Sequence, residues 1–249
     1  MNFHYQDRGQ AKTVILIPGW GTCPRLLAPL YPDYNLLFCL RPQPSTFVSS
    51  LLNFLGQTPV SMPLTLAGFS LGGFLAMDVV KRLSNCAQSH DWGHDSRHDS
   101  IHDWPHDKGH DSHDYPFDHV DLFSIRRCYP EKEITKVRAS LTADPQAFMR
   151  TFFMQECDIA SSPLFQNYLE TLDLDHLLQG LDYLSHVSLS PACFLSPHGY
   201  LSVYHGRRDR IAPLRDIRRL FSAHSKAQLR LESGGHFFFL DPSFRIRHD

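Results

Sequence analysis

Residues 63–77 read PLTLAGFSLGGFLAM: a short apolar strand over Pro63–Ala67, the turn Gly68-Phe69-Ser70-Leu71-Gly72-Gly73, and the start of a helix. The helix continues through FLAMDVVKRL, where Phe74, Met77, Val80 and Leu83 recur at helical spacing. Gly68-Phe69-Ser70-Leu71-Gly72 is therefore a G-x-S-x-G elbow in the strand-to-helix setting that this motif requires. Its spacing has a steric reason. The serine occupies a tight, strained turn, and only small residues two positions to either side let the chain close around it. Such a turn exposes the Ser70 hydroxyl and aims the positive end of the helix dipole at it.

The flanking chain predicts the rest of an α/β fold. KTVILI (12–17) is β-branched and apolar throughout, as a strand buried on both faces is, and runs into the turn Pro18-Gly19-Trp20-Gly21-Thr22. NLLFCL (35–40) reads as a second strand, followed by an amphipathic helix over Ser45–Leu55 with Ser45 as its N-cap. Beyond the elbow, HVDLFSI (119–125), GYLSVYH (199–205) and QLRLE (228–232) read as strands and Ala212–Ser222 as a helix. Strands alternating with helices predict one domain over residues 1–249, a mostly parallel sheet flanked by helices. From 129 to 190 the pattern is helical alone, with stripes such as Ile134, Val137, Leu141 and Leu177, Leu181, Leu184.

A serine hydroxyl is a weak nucleophile until a histidine takes its proton and a carboxylate orients that histidine. Asp209 follows the strand GYLSVYH in His205-Gly206-Arg207-Arg208-Asp209, and His236 follows QLRLE in Gly234-Gly235-His236. The order Ser, Asp, His, each in a loop after a strand, predicts the triad Ser70, Asp209, His236. Asp182 and Asp216 fall in helical pattern and read as surface acids. His205 ends a strand, where it either orients the acid loop or is structural; His198, His224 and His248 lie in loop or tail positions and read as solvated. An oxyanion hole needs two backbone N–H groups: Leu71 supplies one, and Trp20, between two glycines, the other.

Ile17-Pro18-Gly19-Trp20-Gly21, Gly68-Phe69-Ser70-Leu71-Gly72-Gly73, His205-Gly206-Arg207-Arg208-Asp209 and Gly235-His236 together resemble the α/β-hydrolase superfamily. Within it, the Gly-Trp-Gly turn and the layout resemble the carboxylesterase branch that includes pimeloyl-[acyl-carrier protein] methyl ester esterase, although Pro18 stands where relatives usually carry histidine. The resemblance implies an α/β-hydrolase fold with residues 129–190 as a helical cap, and Phe148, Phe152 and Phe153 lining an acyl pocket or packing the cap. Six basic residues (126, 127, 132, 136, 138, 150) against Glu131, Glu133 and Asp144 either form a solvated mixed-charge face or suit an acidic acyl-carrier protein. The family closes with a full helix after the catalytic histidine. Here SFRIRHD is a poor helix, so part of a sheet face is expected to lie bare.

Composition bounds the remaining possibilities. With 24 basic and 26 acidic residues the formal charge is −2, which supports neither a nucleic-acid nor a membrane-surface partner. Apolar runs stop at four or five residues, too short for a membrane span, and MNFHYQDRGQ lacks a signal-peptide core. The six cysteines are far apart and contain no CxxC, so they read as reduced thiols of a cytoplasmic protein. An insert at 88–118 breaks the pattern. His-Asp recurs at 90, 94, 98, 102, 106 and 110 and then slips to 113. A helix of that period would stack histidines for Zn²⁺ or Ni²⁺, but Gly93, Pro105 and Gly109 interrupt it, and a disordered surface loop is the expectation.

These readings converge on a serine esterase that needs no metal or organic cofactor. Ser70 attacks a small-molecule or carrier-bound acyl ester, His236 shuttles the proton and Asp209 holds His236. An acyl thioester is the alternative substrate, and an inactive hydrolase fold with a metal-binding His-rich loop is the alternative from another class.

Overall fold

The computed structural model describes residues 2–88, 116–156, 169–194, 200–221 and 227–248. Seven strands form one sheet: β1 (Asn2–Gln6), β2 (Thr13–Ile17), β3 (Asn35–Leu40), β4 (Leu64–Phe69), β5 (Phe117–Phe123), β6 (Tyr200–Gly206) and β7 (Gln228–Glu232). Their order is β1-β3-β2-β4-β5-β6-β7, with β1 antiparallel to β3 and every other pair parallel. Every residue of β2 and β4 is buried, which is why both read as continuous apolar runs. The edge strand β1 was not foreseen. NFHYQ turns only Phe3 and Tyr5 toward the core, and two apolar residues in five give too weak an alternation to announce a strand.

Helix α1 (Phe47–Gln57) starts two residues later than expected; Thr46, not Ser45, is its N-cap, and the cap makes no side-chain bond. Helix α2 (Leu71–Gln88) leaves the elbow and packs on β2, β4 and β5, with α1 against it. The described part of 129–190 includes helices α3 (Glu131–Ala143), α4 (Pro145–Glu156) and α5 (Leu174–His186), and α3 touches both of the others. Helix α6 (Leu214–Phe221) precedes β7. Of the 88–118 insert, residues 89–115 lie outside the described residues, while Phe117 already belongs to β5. No helix among the described residues is long and apolar enough to cross a membrane.

The sheet face expected to lie bare is covered. Alternate residues of a strand share a face, so His119, Asp121 and Phe123 of β5 stand together beside Tyr200 and Tyr204 of β6. The segment after His236 folds back over this row. Phe244 is buried edge-on to Phe123 and Tyr204, and the Tyr204 hydroxyl donates to the Arg247 carbonyl at 3.0 Å. His248 is not solvated: its ring stacks on His119 at 4.2 Å, and its Nε2 meets Asp121 Oδ2 at 2.8 Å. Asp121 is fully buried and also accepts from the Tyr31 hydroxyl at 2.8 Å, so the tail gives a buried carboxyl group a second hydrogen-bond partner. Rings and one side-chain hydrogen bond thus cover this row. Phe244→Ala is expected to lower unfolding free energy by about 3 kcal/mol, and His248→Ala by about 1–3 kcal/mol, read from urea denaturation midpoints.

Candidate active site

Ser70 sits at the β4–α2 junction with φ +53°, the left-handed region that a residue with a Cβ rarely enters. Its amide donates to the Phe123 carbonyl at 2.8 Å and its carbonyl accepts from Gly73 at 2.9 Å, so the turn is pinned on both sides. A Cβ on Gly68 would fall 2.4 Å from the Gly72 carbonyl oxygen, and one on Gly72 would fall 2.3 Å from that of Ile17. The expected role of both glycines therefore has a direct steric cause. Among the described residues, neither the Leu71 amide nor the Trp20 amide donates to a protein acceptor, which leaves both N–H groups for an oxyanion. The Trp20 turn is held from above, since its indole Nε1–H donates to the Leu177 carbonyl of α5 at 2.8 Å. Gly180 lets α5 come that close, as a Cβ there would lie 2.6 Å from Trp20 Cδ1.

The structure brings Asp209 and His236 together from the ends of β6 and β7: His236 Nδ1–H donates to Asp209 Oδ2 at 2.8 Å, and both residues are buried. Burial alone would raise the Asp209 pKa, but the adjacent His236, its hydrogen bond and the Ala212 amide hold it below the usual carboxylate range. An ionised carboxylate only accepts, so Nδ1 carries the proton and Nε2 is left as the base. Asp209 Oδ1 is used up by the amides of Ile211 and Ala212, at 2.9 and 2.7 Å. Ser70 Oγ, in contrast, is not bonded to His236. Among the described residues its partner is the Tyr129 hydroxyl, 3.3 Å away.

Three residues hold this site in place, and of them the sequence had weighed only His205 for such a role. Ser124, at φ +49° where β5 ends, donates its hydroxyl to the His236 carbonyl at 2.6 Å. His205, fully buried, donates Nε2–H to the Ala212 carbonyl at 2.7 Å and so orients the acid loop, one of the two roles open to it. Arg126, counted with the basic residues of the cap, is 3% exposed and is no part of its outer face. It pairs with Glu133 at 2.8 Å and Asp216 at 3.2 Å, donates to the Ile211 carbonyl at 2.9 Å, and lies over the Tyr129 ring at 4.7 Å. Asp216 is thus a tether for Arg126, not a free surface acid, whereas Asp182 pairs with Arg138. Only proximity of these side chains reveals such roles, and no motif carries them.

Phe148 and Phe152 stand edge-on to Trp20 at 6.4 and 5.8 Å. Phe153 turns the other way: it is 1% exposed and packs against Phe237. His198 and His224 lie outside the described residues. Among the described residues no group of three or more His, Cys, Asp or Glu could hold a metal ion, and the His-Asp repeat falls outside that set.

Burial holds His205 below its ordinary pKa, as it does His119 and His176. Each is neutral when folded and takes up a proton more readily once unfolded. Stability should therefore fall as pH drops below about 6.5, by at most about 1.4 kcal/mol per pH unit for the buried His205 and by less for the more exposed His119 and His176, until the folded value is reached. Urea midpoints between pH 7.5 and 5 should show this slope, and His205→Gln should flatten it in part.

No family model and no curated protein sequence matches the chain. Solved structures match it closely in shape. An esterase from Exiguobacterium antarcticum superposes with a TM-score of 0.71 at 14% identity, over 96% of this chain and 90% of that one. A bromoperoxidase from Bacillus anthracis gives 0.70 at 17% identity, over 95% and 89% of the two chains. The meta-cleavage product hydrolase from Pseudomonas fluorescens gives 0.64 at 16% identity, over 96% and 88%. Identities this low speak to architecture and leave the chemistry to the site itself. A seven-stranded, mostly parallel sheet, a left-handed serine at the β4–α2 elbow and these neighbours together identify the α/β-hydrolase fold.

Proposed function

We propose that the protein is a serine hydrolase that cleaves a carboxylic ester through an acyl-enzyme. What supports this reading is a left-handed Ser70 at the end of β4 in a sheet whose strands β6 and β7 end in the buried, hydrogen-bonded Asp209–His236 pair. His236 Nε2 takes the Ser70 proton as Oγ attacks the carbonyl, and the bond from Oγ to the acyl carbon forms while the oxyanion is received by the Trp20 and Leu71 amides. The C–O bond to the alcohol then breaks and His236 returns the proton to the departing oxygen. Water repeats the sequence to release the acid. Asp209 stays ionised throughout and keeps His236 in the productive tautomer.

The acyl arm lies along Trp20, Phe148 and Phe152 in this reading, and the buried Phe153 supports that wall from behind. Arg127, Lys132, Lys136 and Arg150 are exposed on and around α3 and α4, which suits an acidic acyl-carrier protein presenting its acyl ester. The substrate within this proposal is a carrier-bound ester of the pimeloyl methyl ester type, as in biotin synthesis.

Hydrolysis of p-nitrophenyl acetate and butyrate tests the core of the proposal. Ser70→Ala is expected to lower kcat at least about 10³-fold and Asp209→Asn by about 10³–10⁴-fold, with EDTA without effect. Full activity in a folded Ser70→Ala variant would refute the assignment, and faster turnover of an acyl thioester than of the matching ester would move the substrate class.

A further inference from the structure

We propose that the Tyr129 hydroxyl is a catalytic hydrogen-bond donor to the leaving oxygen of the ester. This rests on the triad reading above and extends it to a residue outside the triad. Tyr129 Oη lies 3.3 Å from Ser70 Oγ and is, among the described residues, the hydrogen-bond partner of the reacting atom.

Topology gives this contact its direction. Ser70 follows β4, whose neighbours in the sheet are β2 on one side and β5 on the other. The Trp20 turn follows β2, so the oxyanion is drawn to that side. Tyr129 comes from the chain after β5, the side on which β6 and β7 deliver Asp209 and His236. In the tetrahedral intermediate the acyl carbon carries the oxyanion, Oγ and the leaving oxygen. With the oxyanion toward β2, the leaving oxygen faces the side from which His236 must protonate it. Two oxygens on one tetrahedral carbon are closer together than a hydrogen bond is long, so a donor that lies beside Oγ on the leaving-group side is placed to reach the leaving oxygen with a small shift.

The hydroxyl is preorganised for the task. Arg126, clamped by Glu133, Asp216 and the Ile211 carbonyl, sits over the ring, and Phe74 packs at 6.2 Å. Burial pushes the phenol up to about 12, so it keeps its proton at neutral pH and has a hydrogen bond to donate. As the intermediate collapses, the electron pair of the breaking C–O bond moves onto the alcohol oxygen. The proton that ends there is the one on His236 Nε2. Tyr129 retains its own proton and stabilises the charge building on that oxygen before transfer is complete.

A role confined to bracing Ser70 would not depend on which alcohol leaves, and this separates the two possibilities. The experiment compares kcat/KM, which counts only steps up to alcohol release, for ethyl butyrate and p-nitrophenyl butyrate in wild type and Tyr129→Phe. Nitrophenolate leaves without assistance and ethoxide does not. The expected result is a loss of about 10- to 100-fold on the ethyl ester and less than about 3-fold on the nitrophenyl ester, with labelling of Ser70 by a fluorophosphonate retained. Equal losses on both esters, or none on the ethyl ester, would overturn the proposal while leaving the triad standing. Absence of Ser70-dependent turnover in wild type, with Ser70→Ala as the control, would overturn the triad reading and this proposal together.

Discussion

One backbone conformation governs the active edge of this protein: Ser70 held at φ +53° between β4 and α2. A non-glycine residue in that region costs on the order of 1–3 kcal/mol and persists only where its surroundings over-determine it. Here they do so through contact. Gly68 and Gly72 bring carbonyls to distances that any side chain would block, and the Phe123 carbonyl of β5 fixes the serine amide. The same crowding seats Gly72 against the Ile17 and Pro18 carbonyls, so the elbow and the turn carrying Trp20 are placed relative to each other. Ser70 and the Trp20 and Leu71 amides are thereby set by one packing event.

The other half of the site is assembled from strand ends that are distant in sequence and adjacent in the sheet. His236 is gripped at its ring by Asp209 and at its carbonyl by Ser124, which also occupies the left-handed region. Asp209 is gripped in turn by two amides of its own loop, and that loop is tied down by His205 through Ala212 and by Arg126 through Ile211. A buried arginine with two carboxylate partners adds little net stability for the cost of its desolvation, but it fixes geometry. In this fold it fixes two things at once, the acid loop and the ring of Tyr129. Preorganisation of this kind lets a small set of dipoles act without reorganising during reaction.

Away from the site, the segment after His236 shows how a sheet face can be covered without a helix. Phe237, Phe238, Phe239 and Phe244 supply rings that interlock with Phe69, Phe123 and Tyr204, while His248 reaches Asp121. Phe69 belongs to both regions: it lies next to the nucleophile and its ring packs under His236 at 4.9 Å. The tail therefore supports His236 as well as closing the core.

The parts of this protein legible in its sequence are those whose cause is local. KTVILI, NLLFCL and PLTLA announce buried parallel strands because apolar side chains fill most positions in a row, and G-x-S-x-G between strand and helix announces the elbow because the steric demand falls within five residues. The order of Asp209 and His236 after their strands is local in the same sense, and the structure sets the two residues 2.8 Å apart. The parts the sequence concealed are those defined by neighbours across the sheet. β1 is stabilised by pairing with β3 and not by its own pattern. Arg126 looks like one more basic residue until its partners from α3, α6 and the acid loop close around it. His248 and Phe244 look like a solvated stub until β5 and β6 present a row of rings and a buried carboxylate for them to cover. Tyr129 has no motif, and its place beside Ser70 exists only because β5 lies next to β4. Local sterics are written along the chain, whereas long-range juxtaposition depends on strand order and appears only when the sheet is assembled.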